Sequence, residues 1–354
     1  MRHNYKQRKA GTRGAGASGA IAISVILFLC SSCLPVADNR TLTEDGLQPP
    51  VLLDIEAVSE NKTVIYFDKA CSVVEETVLV SPELTVKKTD SGEETVEIVF
   101  EEAQKIGEEY LLEATVEDDQ GNSMSFIINF YGFNPYVPEV VINEFTCQGS
   151  SSHPDLVELY VKTDGNMAGL TMYEGTAGEW DDRLVFPGMP VSAGDYILVH
   201  FKPEGIEEEK NEIADKTVSG GLDASDDAYD FWVEGGAGLS GNNGVLTLYT
   251  TPRGEIIDGV LYSNRTSSSD ENYRGFGTKK VMLWADRLAE DGGWKYDGDL
   301  IAPEDGLNPD DSTATRSICR DSSSSDTDTA ADWHIVPTST YSFGEINSEE
   351  IYEP

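Results

Sequence analysis

Cysteine and histidine are scarce in this chain: 354 residues hold five of the first and four of the second. Cys30 and Cys33 fall in the N-terminal segment, which leaves Cys71, Cys147 and Cys319. Three cysteines make no dense disulfide framework, even in an exported protein. No C-x-x-C pair lies beyond residue 33, which argues against a structural zinc site. His3, His153, His200 and His334 are far apart, none belongs to an H-E-x-x-H string, and G-x-S-x-G is absent. The sequence therefore carries no local sign of a zinc hydrolase or of a nucleophile elbow. Basic residues are also few, 25 Lys and Arg against 64 Asp and Glu, for a formal charge of −39. Such a surface repels phosphate backbones, so nucleic acid is not an expected partner. Long apolar runs are missing too, and the most apolar stretch, near residues 20–30, is short for a membrane span.

That stretch is informative in its setting. Arg2, Lys6, Arg8, Lys9 and Arg13, with no acidic residue among them, precede A-I-A-I-S-V-I-L-F-L-C-S-S-C at 20–33. A basic leader followed by a short apolar run is the layout of a secretory signal peptide. Ser31 and Ser32 stand immediately before Cys33, and the segment resembles the lipobox of bacterial lipoproteins. The resemblance implies cleavage before Cys33 and lipidation of that cysteine. Cys30 departs from the pattern, which usually has an aliphatic or small residue there. The other readings are an ordinary cleaved signal and an uncleaved anchor. Without the leader's five basic residues the chain keeps 25 − 5 = 20 against 64 acidic ones, a charge of −44. That suits a globule tethered by acyl chains rather than one lying on an anionic surface.

Residues 33–50 have no periodicity, end in Pro49 and Pro50, and read as a flexible tether. From 51 to 134 strand signals recur. Val96, Ile98 and Phe100 alternate with Thr95 and Glu97, and Tyr110, Leu112, Ala114 and Val116 alternate with Glu109, Glu113 and Glu117. Period two with polar partners predicts strands buried on one face, here in a small β-sandwich. Asp118-Asp119-Gln120-Gly121-Asn122 reads as a hairpin turn. The segment from Glu109 to Phe130 resembles the last hairpin of bacterial immunoglobulin-like repeats. Phe133-Asn134-Pro135-Tyr136-Val137-Pro138 is a stiff boundary.

Beyond it, Val141-Ile142-Asn143-Glu144-Phe145, then Asp155-Leu156-Val157-Glu158-Leu159-Tyr160 and Gly169-Leu170, are followed by Gly194-Asp195-Tyr196-Ile197-Leu198-Val199. Gly244-Val245-Leu246-Thr247-Leu248, Asp326–Trp333 and Phe343-Gly344-Glu345-Ile346-Asn347 complete the series. The order resembles the lamin-tail domain, which implies an immunoglobulin-type sandwich over 139–347. Val161 and Leu170 depart from the usual Asn and Trp of that family. Insertions are expected near 203–228 and 263–315. In the second, Val281, Trp284, Ala285 and Leu288 recur at i, i+3, i+4 and i+7, which predicts a helix over Lys279–Glu290 that caps the sandwich edge.

Ligand chemistry has few candidates. Gly236, Gly238 and Gly241 spell G-x-G-x-x-G but lead into a strand, so no helix N-terminus is offered to a pyrophosphate. Gly14, Gly16 and Gly19 spell it again inside the leader. Asp223, Asp226, Asp227 and Asp230 form one carboxylate group, and Asp326, Asp328 and Asp332 another. Calcium is the cation closely spaced carboxylates would suit, against the plainer reading of solvated turns. In a sandwich of the lamin-tail kind the first and last strands are close, which makes Cys147 and Cys319 a candidate disulfide, against two separate buried thiols. The expected protein is all-β: two immunoglobulin-like sandwiches in tandem, the second with a short helical insertion. It is expected at the bacterial cell envelope, lipid-anchored to the outer membrane or the periplasmic face. Its expected role is a non-catalytic binding or structural module, with an unidentified protein or envelope ligand and no obligatory cofactor. The alternatives are an envelope hydrolase and a calcium-stiffened spacer.

Overall fold

A computed structural model describes residues 48–354; the leader, Cys33 and the start of the tether lie outside the described residues. The chain is nearly all β. Its first module comprises β1 (Leu52–Ser59), β2 (Lys62–Phe67), β3 (Ser72–Val73), β4 (Leu79–Ser81), β5 (Val86–Ser91), β6 (Thr95–Phe100), β7 (Glu109–Glu117) and β8 (Ser123–Tyr131). One sheet runs β1-β2-β6-β5; in the other, β7 pairs β8 on one side and the short β3 and β4 on the other. Alternation does what the sequence suggests: Tyr110, Leu112, Ala114 and Val116 are buried, while Glu109, Glu113 and Glu117 are exposed. They close on Ile65, Phe67, Val96, Ile98 and Phe100 of the facing sheet. The β7–β8 hairpin turns on Asp118, whose Oδ1 accepts from the backbone N–H groups of Gln120 and Asn122.

The second module contains β9 (Val140–Thr146), β10 (Leu156–Val161), β11 (Gly165–Asn166), β12 (Thr171–Thr176), β13 (Glu179–Val185) and β14 (Pro190–Val191). It continues with β15 (Tyr196–His200), β16 (Tyr229–Trp232), β17 (Asn243–Tyr249), β18 (Ile256–Ser263), α1 (Lys279–Glu290), β19 (Ile318–Arg320) and β20 (Trp333–Ile335). A six-stranded sheet, β16-β15-β10-β9-β19-β20, faces a four-stranded one, β13-β12-β17-β18. β15 and β16 are parallel, and the other pairs of both sheets are antiparallel. Val157, Leu159, Ile197, Val199, Phe145 and Phe231 meet Met172, Leu246, Leu248, Val260 and Tyr262 in the core between them.

Both outer faces are covered, so β9 and β17 are buried along their whole length. Strands covered on two faces lose the alternation that marks a half-exposed sheet. α1 begins at Thr278, whose side chain accepts from the Val281 N–H, and buries Val281, Trp284, Ala285 and Leu288. Those are the residues its periodicity selects. The helix lies across the outer face of the four-stranded sheet, on β12 and β17, rather than at an edge. Two glycines permit this: a Cβ on Gly259 would sit 2.3 Å from Leu288 Cδ1, and one on Gly175 would sit 2.9 Å from Trp284 Cε2. The outer face of the six-stranded sheet is covered instead by the C-terminal segment, residues 337–350, here termed the strap.

The modules have separate cores and a close junction. Asn134 Nδ2 donates to the carbonyls of Asn166 and Ala168, at 2.8 and 3.0 Å. Gly107, with φ of 66°, packs so tightly on Ala168 and Gly169 that a Cβ would fall 2.6 Å from a backbone carbon. Arg253 pairs with Asp54 across the same junction at 3.2 Å. Both side chains are about half exposed, so that pair adds little.

Candidate functional site

The densest polar arrangement lies on and just beneath the six-stranded sheet. Outward-facing partners follow one another across it: His334 opposite Cys319, Cys319 opposite Glu144, Glu144 opposite Glu158, Glu158 opposite Leu198, Leu198 opposite Asp230. A bulge at Asn143 in β9 makes this register. It turns the Asn143 side chain outward, onto Glu158 Oε1 and Asn347, and leaves the Ile142 N–H and C=O pointing inward. Re-aiming neighbouring groups in this way is what a bulge does.

Glu144 and Glu158 are both fully buried, and among the described residues no basic group acts on either carboxyl. Glu144 accepts from Ser317 Oγ, from the Ser342 N–H and from Ser342 Oγ. Glu158 accepts from Asn143 Nδ2 at 2.8 Å and from the Gly344 N–H at 2.6 Å. Burial raises both carboxyls, and Glu158 stands further above its ordinary value because the Glu144 charge adds to it. More donors are aimed at Glu144 than at Glu158.

Beneath the row, on the inner face, Arg320 is wholly buried. Its Nε donates to the Ile142 carbonyl, Nη2 to both oxygens of Asp258, and Nη1 to Ser325 O, Asp326 and Asp332. The guanidinium also stacks on Trp333, 4.5 Å from the ring centroid. Burial raises the Asp258 carboxyl to about 7, with Arg320 pulling the other way. Every donor of the planar fork is used, which only arginine can arrange.

The structure places the calcium candidates Asp326, Asp328 and Asp332 beside protein cations. Asp326 and Asp332 converge on the Arg320 guanidinium, and Asp328 pairs with Lys295 at 2.9 Å. A protein cation stands where the metal was expected. The disulfide expectation is corrected: Cys147 and Cys319 are free, buried thiols. Cys147 packs with Phe145 in the inter-sheet core, whereas Cys319 faces outward, near His334 Nε2 and the Ser348 carbonyl. They lie on opposite faces of one sheet. Burial pushes the Cys147 thiol up to about 12 and Cys319 higher still, aided by the nearby carboxylates.

The other acidic group divides between two histidines. Asp230 takes His200 Nε2 at 2.7 Å with both side chains buried, and Trp232 stacks on the imidazole at 3.8 Å. Asp223, with φ of 61°, takes His153 Nδ1 at 2.8 Å beside a cavity of about 220 Å³ lined by Leu156, Ser225, Tyr341 and Phe343. The glycine-rich loop at 236–241 uses its amides internally. The N–H groups of Ala237, Leu239 and Ser240 donate to Asp182, Asp155 and Glu174. Where a phosphate-binding loop would cradle an anion from solution, this one closes on carboxylates of its own chain.

Burial raises Glu174 to about 7 and shifts Asp155 and Asp182 upward as well. A carboxyl raised in the folded state stabilises the fold below its unfolded value, near 4.5, and that contribution fades as pH rises through 7. The shift corresponds to about 3 kcal/mol. Urea unfolding followed at pH 5, 6 and 8 should therefore show stability falling with pH. Glu174→Gln should flatten that slope and leave the variant the more stable of the two at pH 8. An unchanged slope would mean that Glu174 is ionised in the folded protein.

Arg320, Glu144 and Glu158 were not legible as site residues. Each glutamate interrupts an apolar strand, V-V-I-N-E-F-T or L-V-E-L-Y-V, in a position that alternation assigns to solvent. The available signal was that both strands are otherwise mostly apolar.

Among known proteins, the family model described as the TP_1001 protein second domain matches residues 138–335, more than half of the chain. The chain belongs to this family. The TP_1001 second domain thus takes in both sheets, α1 and the Arg320 cluster, and its matched region stops just before the strap. An uncharacterized protein of Treponema pallidum (strain Nichols) is 25% identical over 166 residues, which are 47% of this chain and 42% of that protein. The match thus spans less than half the length of that relative. Among solved structures, the N-terminal part of the bacterial S-layer protein SbsC aligns with 33% of this chain and 42% of its own, at 14% identity and a TM-score of 0.24. Dimeric latent PorU from Porphyromonas gingivalis aligns with 64% of this chain and 20% of its own, at 12% identity and a TM-score of 0.18. TM-scores this low do not mark a shared fold.

Proposed function

We propose that this is a lipid-anchored protein of the bacterial cell envelope whose two β modules serve as a non-catalytic structural or binding unit. The junction carries the reading. Gly107 seated on Ala168 and the Asn134 side chain clamped on two carbonyls hold the modules against each other, as a spacer requires. The lipobox-like segment ending at Cys33 supplies the anchor, and the lamin-tail resemblance suits a domain whose work is interaction. The polar groups are engaged internally: His200 by Asp230, His334 Nε2 by the Ser348 carbonyl, and the Asp326 group by Arg320. The partners in this reading are the membrane, through the lipid, and a protein or polymer of the envelope.

Cells expressing the full chain and its Cys33→Ala variant, labelled with a radioactive fatty acid and extracted with a phase-separating detergent, test the anchor. The parent should carry label and enter the detergent phase. Cys33→Ala should be unlabelled, and either aqueous or uncleaved. A Cys33→Ala protein that takes up label and partitions like the parent overturns the proposal.

A further inference from the structure

We propose that the strap, residues 337–350, is a pH-released latch: it stays closed over the six-stranded sheet while one carboxyl of the Glu144–Glu158 pair is protonated, and lifts when both are ionised.

The geometry supplies each part. Glu144 and Glu158 stand directly opposite one another on adjacent antiparallel strands, where like charges repel. The strap is held in part through this pair, and in part by Asn347, by the Ser348 carbonyl on His334 and by Glu349 on the Ser322 N–H. Ser342 reaches Glu144 through both its N–H and its hydroxyl, the Gly344 N–H reaches Glu158, and Asn347 brackets Asn143. Asn347 Nδ2 also donates to the Arg320 carbonyl at 3.1 Å. Apolar contact is thin: Phe343 alone of the strap packs on Leu156, Leu198 and Ala228.

No facing group compensates a second negative charge. β10 and β15 present Tyr160 and Tyr196 to each other, and β19 presents Cys319. β20 presents His334, whose Nε2 is committed to the Ser348 carbonyl. The strap brings Glu345 and Glu349, and Asp321 follows β19; burial raises Tyr196 and Cys319, and Glu345 adds to the first while Glu349 and Asp321 add to the second. Past Leu198, Asp230 and His200 are paired with each other. Arg320 extends its guanidinium to the inner face, toward Asp258. A second charge in this row would therefore be buried with like charges and without a cation, and such a site relieves itself by admitting water.

Lifting the strap would remove Tyr341 and Phe343 from the cavity beside His153 and uncover Leu156, Leu198 and Ala228. The latch thus governs access to both the cavity and the apolar patch.

Hydrogen–deuterium exchange of the soluble chain beginning at residue 34 tests this, at pH 5 and pH 8 and corrected for intrinsic rates. Peptides covering 341–349 should lose at least tenfold in protection at pH 8, while peptides from β12 and β17 keep theirs. Glu158→Gln, which fixes the uncharged state, should retain strap protection at pH 8. Equal strap protection at both pH values in the parent overturns the latch. So does loss of protection throughout the second module together, or the same pH-dependent loss in a folded Glu158→Gln.

Discussion

Arg320→Met should destabilise the second module by about 3–5 kcal/mol, because removing one partner of a buried ionic cluster strands the others. A domain has only about 5–15 kcal/mol in hand, so the variant should sit near its unfolding transition at growth temperature. Asp258 is fully buried and receives two of its hydrogen bonds from Nη2; without them it must ionise unpaired or take up a proton. The Ile142 and Ser325 carbonyls lose their donors in the same step. Arg320→Lys restores the charge without the fork, and should recover only part of the loss. The readout is selective, since all five tryptophans, at 180, 232, 284, 294 and 333, belong to the second module. Thermal and urea unfolding followed by tryptophan emission should show the change; a shift below about 1 kcal/mol would mean that the cluster tolerates an apolar replacement, as some buried ion pairs do.

The first module was legible because its strands are covered on one face only. The period-two pattern at 95–100 and 109–117 corresponds residue for residue to burial in β6 and β7. β5 escaped for the opposite reason. V-K-K-T-D-S is an edge strand with polar residues on both faces, and it offers no alternation to read. In the second module the strands are wrapped by α1 on one side and the strap on the other. Only the apolar runs and the helix periodicity of 281–288 could then be seen. Nothing local indicates that Asp258, Asp326 and Asp332 share a cation with β19, because Arg320 lies 62 residues from the first and 12 from the last. A sequence shows carboxylates that are near one another; it does not show the arginine that long-range pairing places among them. The same blindness turned Cys147 and Cys319 into a candidate bridge. Strand adjacency was foreseeable, but side-chain direction depends on register, and register puts the two sulfurs on opposite faces.

Trp284→Ala should be the second severe change, costing about 3–5 kcal/mol through lost burial and an unfilled cavity. Trp284 is 2% exposed and is the largest side chain that α1 inserts against the four-stranded sheet. The site has little freedom to collapse. Gly175, with φ of 121°, already brings the β12 backbone to the ring, and Gly259 does the same for Leu288. The helix itself contributes little independent stability: twelve residues are marginal as an isolated helix, and most of its order derives from this contact. Leu283, on the solvent side of the same helix and 40% exposed, provides the control. Leu283→Ala should stay within about 0.5 kcal/mol of the parent. Hydrogen exchange of residues 279–290 should then separate two outcomes for Trp284→Ala. Loss of protection in the helix before the β17 peptides respond would show that α1 detaches as a unit from a sheet that persists. Simultaneous loss in both would show that the four-stranded sheet depends on its helical cover, as strands without a solvent face should.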